Sequence, residues 1–197
     1  MFNIMYFIAF VFGFALGSIP FGYILARAFK KIDIREYGSK NIGTTNVTRF
    51  CGKPLGIAVF ILDASKGFFP AFLSSHYFGI NPAIVAGLAA ILGHAFTPWL
   101  KGKGGKGTAT GLGIFMGLAP LPALIAFCAW VIILLVFKWV SVASISASAV
   151  LVIIIFISYH LSPIFFFVLL GFLLIVFSHR SNIRRLLRGE EPKIGKK

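Results

Sequence analysis

The feature that constrains this chain most is its alternation of long apolar runs with short basic segments. Apolar runs occupy residues 4–26, 54–75, 81–100, 143–160 and 163–178, and a further one stretches from Thr108 to Phe137. A helix needs about 20 residues to cross roughly 30 Å of hydrocarbon, fewer where the protein is locally thin. Composition agrees: 58% of residues are apolar and 12% are charged, half the roughly 25% charged share of a soluble domain. A soluble core cannot absorb that much apolar surface, and a disordered chain does not contain it. A water-soluble globular protein is excluded, and so is a soluble nucleic-acid binder despite a net charge of +14. The chain reads as an all-α integral membrane protein.

The start, Met1-Phe2-Asn3-Ile4, has no positive charge ahead of its apolar stretch, so it reads as a first span rather than a cleaved signal peptide. Cys51 and Cys128 suit neither a disulfide framework nor a Cys zinc site. No metal site and no cofactor are expected.

Charge placement decides how the ambiguous 108–137 stretch is used. Of the 19 Lys and Arg, seven fall in 27–53, three in 101–106 and seven in 180–197. The connections Ser74–Asn81, Ala119–Pro122 and Ser158–Pro163 carry no charge. By the positive-inside rule all three basic segments are cytoplasmic. The chain must then cross an even number of times between Lys106 and Arg180, so 108–137 must supply two helices, turning at Pro120 and Pro122. The expectation is a bundle of seven transmembrane helices, N-terminus extracytoplasmic and C-terminus cytoplasmic. Gly13/Gly17 and Gly113/Gly117 are small-xxx-small pairs suited to close helix packing. No repeat or separate soluble domain is visible, so residues 1–197 are read as one membrane-embedded domain.

Three polar segments could do chemistry. The first runs from Glu36 to Arg49. Gly38 and Gly43 allow successive N–H groups to converge on an anion. Ser39, Asn41, Thr44, Thr45 and Asn46 add neutral donors, and Arg49 adds a planar cation. A plain basic loop on anionic lipid headgroups would explain Lys30, Lys31 and Arg35, but not the cluster of hydroxyls and amides. The second, Lys101-Gly102-Lys103-Gly104-Gly105-Lys106-Gly107-Thr108, feeds directly into an apolar helix. A glycine-rich turn at a helix N-terminus with interleaved lysines is a phosphate cradle, the alternative being a flexible basic turn. It is not a Walker A loop, because Thr108 stands where that motif requires Lys.

The third segment holds His179 and Asn182, three apart on one face if the last helix continues, with Arg180, Arg184 and Arg188 on another. The arginines suit lipid headgroups. Ser141, Ser144 and Ser148 follow helical spacing, and Ser144 is near enough to the surface to donate to a substrate, with packing as the equal alternative. Within the membrane, Asp63 and Lys66 are spaced i, i+3 and read as a structural pair, although intramembrane charges are also functional candidates. His94 is placed roughly mid-way along the third helix as a helix-to-helix hydrogen-bonding residue. Three anion-recognising segments on one face imply one site for one or two phosphates.

The combination of Gly17-Ser18-Ile19-Pro20-Phe21-Gly22-Tyr23, Gly38-Ser39-Lys40-Asn41-Ile42-Gly43-Thr44-Thr45-Asn46, Gly102-Lys103-Gly104-Gly105-Lys106-Gly107 and His179-Arg180-x-Asn182-Ile183-x-Arg185-Leu186 resembles the bacterial acyl-phosphate:glycerol-3-phosphate acyltransferases, the PlsY family. The match covers essentially the whole chain in order. Lys40 departs from the pattern, since many members have Gly there. The resemblance implies transfer of the acyl chain of acyl phosphate to the sn-1 hydroxyl of glycerol 3-phosphate, giving lysophosphatidic acid and phosphate, the first step of phospholipid synthesis. It implies a multi-pass protein of the inner membrane with a cytoplasmic site, using membrane lipids but no nucleic acid or obligate protein partner. Its signatures carry over to Ser39, Asn41, Asn46 and Arg49, to Lys103, Gly104, Lys106, Gly107 and Thr108, and to His179 and Asn182.

The residues agree with that chemistry. The common glycerolipid acyltransferases use His-x-x-x-x-Asp, and no histidine here has Asp five positions on. Acyl phosphate already has a good leaving group, so positioning and charge neutralisation can supply most of the catalysis. His179, with an ordinary pKa of about 6.5, is the candidate proton acceptor, against a phosphate oxygen of the substrate itself. The rival class is a small anion or phosphate-ester transporter, which would favour internal repeats and a midplane site.

Overall fold

The computed structural model describes residues 4–195; the expectation about Met1–Asn3 and the last two lysines lie outside them. Every regular element among the described residues is helical. The chain forms two compact units, one ending at Leu118 and the other starting at Ala119.

The first unit contains α1 (Ile4–Gly17), α2 (Phe21–Lys30), α3 (Thr44–Cys51), α4 (Lys53–Phe78), α5 (Ile80–Ala95) and α6 (Thr108–Leu118). α1 lies against α5 through small residues on both sides. A Cβ on Gly13 would run into the Ala86 carbonyl and one on Gly17 into that of Ala90, while Gly93 returns the favour against Phe14. Gly113 and Gly67 do the same between α6 and α4. Backbones that approach this closely gain van der Waals contact that lipid cannot match.

The first apolar run is not the continuous helix that 4–26 predicts. It breaks at Ser18–Pro20, where Pro20 lacks the N–H that would continue the helix. Carbonyls released in a membrane must find internal donors. Thr97 Oγ1 donates to Ser18 O at 2.6 Å, and Lys66 Nζ donates to Ile19 O at 2.8 Å. Joined across this break, Ile4–Lys30 is still long and apolar enough to span. The third run also differs: α5 ends at Ala95, because Pro98 disfavours helical geometry in the residue before it, and a 3₁₀ turn covers Pro98–Leu100. His94 therefore lies in the last turn of α5, not near its middle.

The second unit contains α7 (Pro120–Phe137), α8 (Val140–Tyr159), α9 (Pro163–Ser178) and α10 (Arg180–Leu187). The 108–137 stretch is two helices, α6 and α7, with Pro120 in the first turn of the second. α9 and α10 are bent by 54° at His179, so the last helix does not continue straight. Among the described residues, five helical stretches are long and apolar enough to cross a membrane, and α9 with α10 makes a sixth if counted as one bent span. α6, at 11 residues, is only about 16 Å long at 1.5 Å per residue.

Candidate active site

In the first unit, the segment between α2 and α3 is a folded structure rather than a solvated loop. Ile34, Ile42, Val47 and Cys51 are buried with Ala26, Val59 and Leu100 in a small apolar core. At its head sits Asn46, 2% exposed in the first turn of α3. Its Nδ2 donates to Asn41 O at 2.9 Å, Tyr37 O at 3.0 Å and Ile34 O at 3.2 Å, and its Oδ1 accepts from Ser39 N at 3.2 Å. Two amide hydrogens shared among three carbonyls are fully engaged with the loop. Asn46 thus shapes the loop; of the other candidates, Ser39 is exposed, Asn41 is half-buried, and Arg49 is half-buried one turn further along α3. Asn41 Oδ1 accepts from Gly43 N at 2.8 Å, an Asx turn that opens α3. Lys40 is held at φ 57°, in the left-handed region that glycine enters without cost. Asp33 caps the 3₁₀ turn and takes Arg35 at 2.6 Å; hydrogen bonds from that guanidinium hold its carboxyl down at about 2.

The Gly-Lys segment folds onto the end of α5. Gly102 N donates to Thr97 O at 2.9 Å, Gly104 N to Ala95 O at 3.0 Å and Gly105 N to His94 O at 3.0 Å. Gly104 therefore serves close approach to α5 and does not offer its N–H to an anion. The N–H groups without a helical acceptor lie downstream. Gly107, at φ 82°, accepts the first helical bond of α6 from Gly111 N at 2.7 Å, so the N–H groups of Thr108, Ala109 and Thr110 open the helix without intrahelical partners. Lys103 is exposed beside them and Lys106 is partly buried. Such a terminus is a ready anion site.

In the second unit, His179 is 4% exposed at the α9–α10 bend, and its Nδ1 lies 2.8 Å from Ile175 O. A carbonyl only accepts, so the neutral ring carries its proton on Nδ1 and Nε2 is the acceptor nitrogen. Asn182 Nδ2 donates to Glu191 Oε1 at 2.6 Å. Ser144 is 3% exposed and accepts from Trp130 Nε1 at 3.2 Å.

A family model described as glycerol-3-phosphate acyltransferase matches residues 7–189. The chain belongs to this family. The glycerol-3-phosphate acyltransferase of Brucella canis is 44% identical over 196 residues, covering 100% of this chain and 96% of the relative. That of Prochlorococcus marinus (strain NATL1A) is 44% identical over 190 residues, covering 93% of this chain and 96% of the relative. The crystal structure of PlsY (YgiH), an integral membrane glycerol 3-phosphate acyltransferase in its glycerol 3-phosphate form, superposes with a TM-score of 0.93. The two are 40% identical, and 96% of each chain is covered.

With the family established, the residues that sequence reading missed stand out. Glu191 lies two residues past the family-model match. Its carboxylate, 6% exposed, accepts from Asn182, from Ser141 Oγ at 2.8 Å and from Arg185 Nε at 2.8 Å. Its carbonyl accepts from Trp139 Nε1 at 3.0 Å. Burial raises this carboxyl, and the three hydrogen bonds outweigh burial and leave it below its ordinary value. Two tail glutamates following Gly189 gave no sequence signal of such a role. The expected pair of Asp63 and Lys66 is formed at 2.9 Å, with both side chains buried, and Lys66 has the added job of capping the α1–α2 break.

Proposed function

We propose that this multi-pass membrane protein transfers the acyl group of acyl phosphate to the sn-1 hydroxyl of glycerol 3-phosphate, at the cytoplasmic face of the inner membrane. Residues 1–197 serve this one activity, with seven spans, the N-terminus outside and the C-terminus inside. The observation that supports it most is the entry into α6. Lys103 and Lys106 precede a helix whose first N–H groups have no helical acceptor, and a phosphate supplies what they lack. Membership of an acyltransferase family sets the transport reading aside.

In the proposed reaction the hydroxyl oxygen bonds to the acyl carbon, and the bond from that carbon to the phosphate oxygen breaks. Inorganic phosphate leaves with the bonding pair, and the hydroxyl proton goes to His179 Nε2. The Nδ1–H bond to Ile175 O favours the tautomer that can take it. Arg49, Lys103, Lys106, Gly107 and Thr108 are assigned to phosphate binding, with Ser39 and Asn41 as neutral donors beside them. Asn46 and Gly104 hold the two loops in shape. Asn182 and Ser144 are assigned to orienting the reacting groups, each already held by a neighbour.

The deciding experiment offers the purified protein labelled glycerol 3-phosphate with acyl phosphate, acyl-CoA or acyl carrier protein thioester in turn. Product with acyl phosphate is expected. Product with the thioesters alone would overturn the donor assignment.

A further inference from the structure

His94 sits where two otherwise separate features meet. Its ring, 4% exposed, lies directly beneath Gly105. A Cβ on Gly105 would run into Nε2 and come within 2.6 Å of Cε1, and no other residue stands among its three nearest atoms. Its other ring nitrogen, Nδ1, lies 3.9 Å from Asp63 Oδ1, beyond hydrogen-bond distance. Asp63 is ion-paired to Lys66 at 2.9 Å, and Lys66 in turn holds the Ile19 carbonyl. The ring thus meets a buried charge pair on α4 near Nδ1 and the glycine loop at Nε2. The His94 carbonyl also accepts from Gly105 N, so backbone and ring fix the same residue. Lys106 is next in the chain, and Gly107 opens α6.

We propose that His94 is a positioning residue for a substrate phosphate: it sets the height of Gly105, and through it the placement of Lys106 and of the first turn of α6. This rests on the phosphate-binding reading of that turn. A side chain at position 105 would force the His94 ring or the loop to shift, because the ring occupies the space of a Cβ.

The test is a double-mutant cycle read by steady-state kinetics, with KM taken separately for glycerol 3-phosphate and acyl phosphate. His94→Ala is expected to raise one of these KM values roughly 10- to 100-fold, equivalent to the substrate phosphate losing about one charge-assisted hydrogen bond at the displaced turn. The change in kcat is expected to be far smaller. Gly105→Ala is expected to raise the same KM in the wild-type background and to add nothing in the His94→Ala background, because the clash is gone. Unchanged KM values for His94→Ala would overturn the proposal. So would a loss confined to kcat, or an equal Gly105→Ala penalty in both backgrounds. If His94→Ala does not fold, His94→Asn carries the same cycle with a smaller polar side chain. A wild-type protein that uses only thioester donors fails the donor assignment but leaves this test intact, since the glycerol 3-phosphate KM is then read with the donor that works.

Discussion

Removing the Glu191 carboxylate is expected to destabilise the second unit by an amount that can be worked from its contacts. Three side-chain donors reach it at 2.6, 2.8 and 2.8 Å, and it is almost fully buried. A hydrogen bond to a charged group is worth about 1.5–3 kcal/mol, so the gross contribution is roughly 5–9 kcal/mol, offset by several kcal/mol for burying the charge. Truncation to alanine leaves Ser141 and Asn182 buried without this partner, whereas Arg185, about one-third exposed, turns to solvent. Breaking such a site costs about 3–5 kcal/mol. Thermal unfolding of Glu191→Ala in detergent should show a midpoint lower by on the order of 10 °C. Glu191→Gln keeps one acceptor but turns an NH₂ toward Arg185 and should fall between. The pH dependence has a definite sign. The folded carboxyl lies below its ordinary value of 4.5, so its contribution is complete above about pH 4.5 and is lost as pH falls through the lower folded value. The gap between wild type and Glu191→Gln should therefore close in acid. An alanine variant that melts with the wild type at neutral pH would refute the clamp, and a gap unchanged into strong acid would refute its ionic origin.

Asn46→Asp removes the donors to three carbonyls and places a charge beside them, so it should destabilise the first loop and abolish turnover, measured as melting midpoint and activity together. Lys40→Gly relieves a left-handed residue costing about 1–2 kcal/mol, partly offset by glycine's greater unfolded-state freedom, so thermal unfolding should show a net gain below about 1 kcal/mol. His179→Ala should lower kcat by about 10²–10⁴-fold, with His179→Asn and His179→Gln nearly as poor; retention of activity by either amide would make the histidine a positioner and give the proton to phosphate. A cysteine at Leu121, which is 66% exposed, in a background lacking Cys51 and Cys128 should react with an impermeant reagent on intact cells, and labelling only after permeabilisation would break the parity argument.

What the sequence made legible follows from what the bilayer enforces. Span length and Lys/Arg placement are one-dimensional properties, so the division of 108–137 into two helices could be argued from charge parity and Pro120 alone. The i, i+3 pair of Asp63 and Lys66 was likewise readable, because helical spacing puts its members together whatever else happens. Two of the misses depend on contacts between distant segments, and two on how a polar loop folds back on itself or on the helix before it. Pro20 lay in a run apolar enough to look continuous, and only the approach of Lys66, 47 residues away, and Thr97 shows how the break is satisfied. Asn46 looked like a ligand donor because its composition says nothing about whether a polar loop satisfies itself. Gly104 looked like an anion donor until α5 claimed its N–H. Glu191 was invisible for the sharpest reason: its partners Ser141 and Trp139 stand 50 and 52 residues earlier, and it reaches them only because the chain turns back past Gly189 at φ 71°. A polar group in this chain is thus read correctly when regular helical spacing alone fixes its partner. Where the partner is set by an irregular loop or by a remote segment, composition locates the polar segment but cannot tell a group that holds the loop from one that meets the substrate.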